Sequence, residues 1–200
     1  MHVEVNTTKN KLDDYIHELT GLNNKTIEVG AFEGENAWLA HIHEFGCQIT
    51  PKNAQYLTVP VHPKAKGKKA KDFPDLFYLE AKSGEKFLAR EVGENNLEVL
   101  FWLTQSVVIP ERSFIRAGHD QYVNAVLKQS NLAINSLLSG KISIEKTLDL
   151  IGQQITTKIK KFARDLNSPP NKWSTTEAKG SDNPLVDTGN MIESITWRIK

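Results

Sequence analysis

Cysteine, long apolar runs and any excess of one charge are all scarce in this chain, and each scarcity excludes something. Of its 200 residues one is cysteine, Cys47, so no intrachain disulfide can form, and the composition fits a protein made in a reducing cytoplasm. No stretch approaches the ~20 apolar residues of a membrane-spanning helix. Met1 to Val5 has neither the basic start nor the apolar core of a secretory signal. The 25 Lys and Arg against 24 Asp and Glu leave a formal net charge of +1, which is no footprint for a dedicated nucleic-acid or membrane binder. The expectation is a soluble chain that engages no membrane.

Recognisable chemistry is scarce as well. Gly30-Ala31-Phe32-Glu33-Gly34 lacks the third glycine and the Lys-Ser or Lys-Thr of a nucleotide loop. No Ser, His and Asp or Glu set fits a nucleophile motif. His41 and His43 stand two residues apart and point to nearly opposite sides of a helix, unlike the i, i+4 pair that a zinc site needs. Neither an enzyme nor a metal or cofactor is expected.

What is present is an alternation of helix and strand patterns. Leu12, Tyr15, Ile16 and Leu19 repeat at helical spacing before Gly21, so residues 8–20 read as a short amphipathic helix. Thr26 to Gly30 reads as a strand and Ala37 to Gly46 as a second helix, with Trp38, Ile42 and Phe45 on a core-facing side. Residues 49–108 change character. Tyr56–Val61, Leu76–Leu79, Lys86–Val92 and Leu97–Leu103 are short apolar runs, with Lys82–Glu85 and Gly93–Asn96 as turns between them, the pattern of a β-rich insertion.

A long helix follows from Ser113 to Leu138, stopped by Gly140. Ile144, Leu148, Ile151, Ile155, Ile159, Phe162 and Leu166 then form the cleanest helical stripe in the chain, capped by Ser143 and ended by Pro169-Pro170. Two long helices with a short link should lie as an antiparallel hairpin. Residues 168–184 have loop composition around Trp173, and Ser194 to Ile199 alternates as a closing strand. The fold class expected is α+β: an antiparallel or mixed sheet packed on a long helical hairpin. Residues 1–48 and 109–200 form the core domain, 168–184 an exposed loop within it, and 49–108 the insertion.

Two segments carry local charge. Lys64, Lys66, Lys68, Lys69 and Lys71 form a basic loop whose ordinary role is solvation, with contact to DNA or an acidic partner as the alternative. Lys158, Lys160, Lys161 and Arg164 sit on the second long helix. Near the end of the sequence, Leu185-Val186-Asp187-Thr188-Gly189 matches the surroundings of a retroviral-type catalytic aspartate, one of two that share a proton. Too few residues follow to build that enzyme's groove. The local reading is that Asp187 caps the short Asn190–Glu193 turn.

Three segments together resemble the tail completion, or neck, proteins of tailed bacteriophages. Val29-Gly30 followed by Ala40-His41-Ile42-His43-Glu44-Phe45-Gly46 is similar to that family's strand and Ala-x-x-His-Glu-Phe-Gly helix. Ile109-Pro110-Glu111-Arg112-Ser113-Phe114-Ile115-Arg116 is similar to its Ile-Pro-x-Arg-x-Phe-hydrophobic-Arg, although Glu111 stands where a small residue is common. Gly180 to Gly189 with Ser194-Ile195-Thr196 is similar to its closing Pro-Leu-hydrophobic-Asp-Thr-Gly and Ser-Ile.

The resemblance implies a virion structural protein, assembled in the host cytoplasm, that joins or terminates the tail at the head-tail interface. It implies a six-fold ring of copies touching tail tube or terminator proteins and head-connector proteins, with passing contact to genomic DNA. Motif or interface residues would be Phe45, Pro110, Arg112, Phe114, Arg116, Trp173, Asp187, Thr188 and Gly189. Insertion contacts would come from Phe77, Tyr78, Phe101 and Trp102. The alternative function is a nucleic-acid-associated regulatory or packaging-accessory protein of a phage.

Overall fold

The computed structural model describes Ile16, residues 19–94, 96–171, 175–176 and 183–200. Its core is α+β. Strand β1 (Ile27–Gly30) pairs antiparallel with β8 (Thr196–Ile199), with Ile27 opposite Ile199 and Val29 opposite Trp197. Alternation along this ribbon sorts its side chains. Glu28, Arg198 and Lys200 take the wetter side, where Glu28 Oε2 and Oε1 accept from Arg198 and Lys200, both at 2.7 Å. Those bonds, Lys200's first, hold the Glu28 carboxyl below its ordinary range.

Helices α2 (Phe114–Leu138) and α3 (Ile144–Asp165) form the hairpin, and α3 lies on the β1–β8 ribbon. Ser143 caps α3 as its sequence suggests, accepting from Lys146 N at 3.2 Å. Close approach is bought by two mid-helix glycines. A Cβ at Gly152 would stand 2.3 Å from Trp197 Cδ1, closer than atoms can approach, and one at Gly118 would stand 3.3 Å from Phe162. Trp197 is fixed there by its indole N–H, which donates to Asp149 Oδ1 at 3.1 Å. The main apolar cluster joins Ala40, Phe114, Ile159, Ala163, Leu185, Met191, Ile192 and Ile195. A second cluster of Leu137, Ile144 and Leu148 closes the far end, with Leu19 and Leu22 packed against it.

Helix α1 (Gly34–Phe45) is followed by β2 (Cys47–Ile49), and β7 (Val107–Ile109) precedes α2. β2 and β7 pair antiparallel as a neck, and beyond it lies a four-stranded antiparallel sheet in the order β3-β6-β5-β4. Its strands are β3 (Leu57–Pro60), β4 (Phe77–Glu80), β5 (Lys86–Glu91) and β6 (Leu97–Thr104). They sit on the four apolar runs read from the sequence. This sheet has its own small core of Ala65, Leu100 and Phe101, with Phe73 edge-on to Phe101 at 5.8 Å.

The α+β class is as expected, with antiparallel strands, a helical hairpin and a β-rich insertion; what the expectation did not include is the β2–β7 neck, which pairs with neither of the other two sheets. Several expectations are corrected. Ile42 is buried, but Trp38 and Phe45 are 61% and 53% exposed, so that side of α1 is not core. Ile151 and Ile155 are only half-buried, where they line an open apolar groove against Tyr122, Val123 and Leu127 of α2. The helix expected over 8–20 lies largely outside the described residues, as does Trp173; residues 19–21 are helical. The closing strand starts at Thr196, because Ser194 ends the short helix α4 (Asn190–Glu193).

Burial sets the mutational ranking. Ile159→Ala should lower unfolding free energy by about 2–5 kcal/mol, and Ile155→Ala by clearly less, read from urea midpoints at constant m-value. Equal losses at the two positions would contradict the packing described.

Candidate functional site

Helix ends explain why the first two motifs meet. The first N–H groups of a helix and its last carbonyls lack partners within the helix. At the start of α2, Ser113 provides no side-chain cap. Glu44, from the last turn of α1, provides it instead. Its Oε2 accepts from Ile115 N at 2.8 Å and its Oε1 from Arg116 N at 3.1 Å, while Ser113 Oγ donates to Oε1 at 3.1 Å. The carboxylate is buried and faces the positive end of the α2 dipole. Arg116 Nε adds a fourth bond to the carboxylate, reaching Oε1 at 2.9 Å.

The service is returned to the end of α1. Arg112 N donates to His43 O at 2.7 Å, and Arg116 Nη2 donates to Glu44 O at 3.0 Å. Gly46 makes this contact fit. Its φ of 70° lies in the left-handed region, and an added Cβ would stand 2.8 Å from Glu111 N. The β2–β7 neck opens immediately beyond, with Cys47 opposite Ile109.

The third motif arrives through Arg112. Its guanidinium is buried, which lowers its pKa. It donates to Pro169 O at 3.0 Å and to Pro170 O and Asn171 Oδ1, both at 3.3 Å, and its Nη1 lies 3.3 Å from His43 Nδ1. Asn171 then donates to Asn183 O at 3.3 Å. Asn183 donates to Arg164 O at the end of α3 at 2.7 Å, and its Oδ1 accepts from Leu185 N and Val186 N. One polar chain thus runs from α1 through α2 to the final segment.

The candidate residues fall into two groups. Arg112 and Phe114 are buried, so they build the joint and offer no surface, whereas Pro110 beside them is half-buried. Phe45 and Arg116 face outward, with the Arg116 guanidinium 4.6 Å from the Phe45 ring centroid and paired to Glu111 at 2.7 Å. His41 lies 4.9 Å from Phe45 on its other flank. Trp38, His41 and Phe45, at spacings of three and four, form an exposed aromatic strip along α1.

Asp187 is not a cap. Gly189 occupies the N-cap position of α4, and Asp187 Oδ1 instead meets Lys66 Nζ from the insertion at 2.5 Å. Thr188 Oγ1 takes the capping role weakly, accepting from Asn190 N at 3.4 Å. In the insertion, Phe77 and Tyr78 are exposed as expected of contact residues, Trp102 is half-buried, and Phe101 is enclosed in the small core with no surface to present.

The basic loop is spent largely inside the molecule. Lys64 bonds Glu98 at 2.6 Å, Lys66 bonds Asp187, and Lys68 lies over Phe73. Among the described ion pairs, Lys69 and Lys71 have none. Likewise on α3, Lys160 and Arg164 pair with Glu193, Lys161 with Asp165, and Lys158 covers Tyr122. Sequence reading missed Glu44, Asn171 and Asn183 as joint residues. The usable signal was an ionisable residue four positions after buried Ala40.

Removing the Glu44 carboxylate strands buried donors, so Glu44→Ala should cost about 3–5 kcal/mol. Glu44→Gln, which keeps an acceptor, should cost clearly less by the same urea titration; indistinguishable variants would refute the capping role. A second test concerns Glu98, held down to about 2 from the ordinary 4.5 by hydrogen bonds from Lys64 and Arg90. A depressed folded-state pKa stabilises fully above the unfolded value and is lost as pH falls from about 4.5 to about 2. Glu98→Gln should flatten stability against pH in that window, followed by circular dichroism.

No family model, curated protein or solved structure matches the chain.

Proposed function

We propose that this chain is a structural protein of a tailed-bacteriophage virion, acting as a tail completion or neck component, with copies arranged as a ring where head meets tail. The observation that carries the reading is the convergence of the three family-like segments. Glu44 and Gly46 from the first, Arg112 and Arg116 from the second, and Asn183 from the third meet in one hydrogen-bonded joint. Scattered chance matches have no reason to share a polar network.

Assembly surfaces lie beside that joint. Trp38 and Phe45 expose large aromatic faces next to an arginine, a composition enriched at the energetic centres of protein interfaces. A ring needs heterologous contacts, one surface meeting a different surface of the neighbour. The α1 strip and the exposed Phe77 and Tyr78 of the insertion supply two such unlike surfaces.

Trp38→Ala with Phe45→Ala should leave the thermal midpoint nearly unchanged, because both side chains are exposed. The pair should nevertheless abolish rings in negative-stain images and leave unjoined heads and tails when the variant replaces the wild-type gene in a phage infection. Normal particle yield from the variant, or a wild-type protein that never associates with particles, would sink the reading.

A further inference from the structure

Arg112 is buried without a carboxylate, and that decides what its neighbour can be. Its guanidinium donates to Pro169 O at 3.0 Å and to Pro170 O and Asn171 Oδ1 at 3.3 Å, and its Nη1 lies 3.3 Å from His43 Nδ1. A guanidinium has donors only and keeps its charge. His43 Nδ1 must therefore turn a lone pair toward it, which leaves the half-buried imidazole neutral with its proton on Nε2. A second proton would set N–H against N–H and place a like charge 3.3 Å from a cation already taken out of water. The acids of the joint are engaged elsewhere: Glu44 and Glu111 both pair with Arg116, and among the described ion pairs Arg112 has none. Segment 169–171 turns carbonyl and amide oxygens to Arg112, none of which titrates.

We infer that His43 is a proton sensor built into the joint: neutral, it accepts from Arg112 and segment 169–171 is held; protonated, it drives Arg112 away and that segment is released. One planar fork makes all four contacts, so displacing Nη1 tilts Nε and Nη2 off the carbonyls as well. Asn171 donates onward to Asn183 O, and the loss passes along that bond to the final segment. Glu44 keeps its bonds to Ile115 N and Arg116 N, which do not involve the imidazole, so α1 and α2 stay joined. The sign follows from the neutral state. A histidine held neutral by the fold titrates below its unfolded value, so its contribution is complete above about 6.5 and is lost as pH falls below that. The inference rests on the joint alone and stands or falls independently of the proposed function.

The test is an NMR titration of the full wild-type chain from about pH 8 to about pH 5, following the imidazole C–H resonances of His43. Its midpoint should need at least about tenfold more acid than the ~6.5 of an unperturbed histidine. Across that midpoint the protection of Arg112 Nε–H, which is bonded to Pro169 O, should fall at least tenfold, while the Ile115 amide capped by Glu44 keeps its protection. His43→Asn, whose amide oxygen can stand where Nδ1 stands but does not titrate, should hold Arg112 Nε–H protected at both ends of the range. The wild-type titration decides the matter even if that variant does not fold. A His43 midpoint at or above the unperturbed value, as a carboxylate reaching the ring from outside the described residues would produce, overturns the inference. So does Arg112 protection unchanged across the midpoint, or an acid loss that persists in folded His43→Asn.

Discussion

A buried carboxylate capping a helix that begins more than a whole sheet later in the sequence is the constraint on which the rest of this molecule hangs. Ionised groups leave water only when their lone pairs are met, and Glu44 meets its own with two backbone N–H groups, a hydroxyl and a guanidinium. The arrangement works because both partners are otherwise incomplete. The end of α1 has carbonyls to spare and the start of α2 has N–H groups to spare, so bringing them together satisfies two helix termini with one contact. Their crossing fixes where the chain leaves the core at Cys47 and returns at Ile109.

That placement gives the insertion its independence. Everything between the neck strands builds a separate sheet around Ala65, Leu100 and Phe101, while the main cluster draws on α1, α2, α3 and the final segment. Polar links reach across in one described place, the Lys66–Asp187 ion pair on the surface. Exposed pairs of this kind contribute about 0–1 kcal/mol, so the neck and its register, rather than that bridge, hold the two parts in relation.

Surface chemistry follows the same division. Residues of the motif segments that point inward, such as Glu44, Arg112 and Phe114, make the joint; those that point outward, Phe45 and Arg116, stack on one another beside Trp38 and His41. A lysine-rich loop that looks available in one dimension is mostly occupied in three. Lys64 and Lys66 answer carboxylates from distant strands and turns, and Lys68 covers an aromatic ring.

Local pattern alone determined the elements: the four strands of the insertion, the long α2 and α3 hairpin, the Ser143 cap and the closing strand all follow from periodicity and turn residues within a few positions of one another. Those properties are local because side-chain alternation and helix capping act over one or two turns. Tertiary structure alone decided which faces were inside. Trp38, Ile42 and Phe45 share one side by spacing, yet only Ile42 is buried; among the described residues Phe45 meets Arg116 and His41 at the surface rather than a core. Asp187 sits in the sequence context of a cap but answers Lys66 across the molecule, and Phe101 reads as a contact residue but fills a core. Glu44 is the clearest case. A glutamate in the last turn of a helix has every local reason to be solvated, and only the arrival of α2's unpaired N–H groups gives its buried oxygens partners.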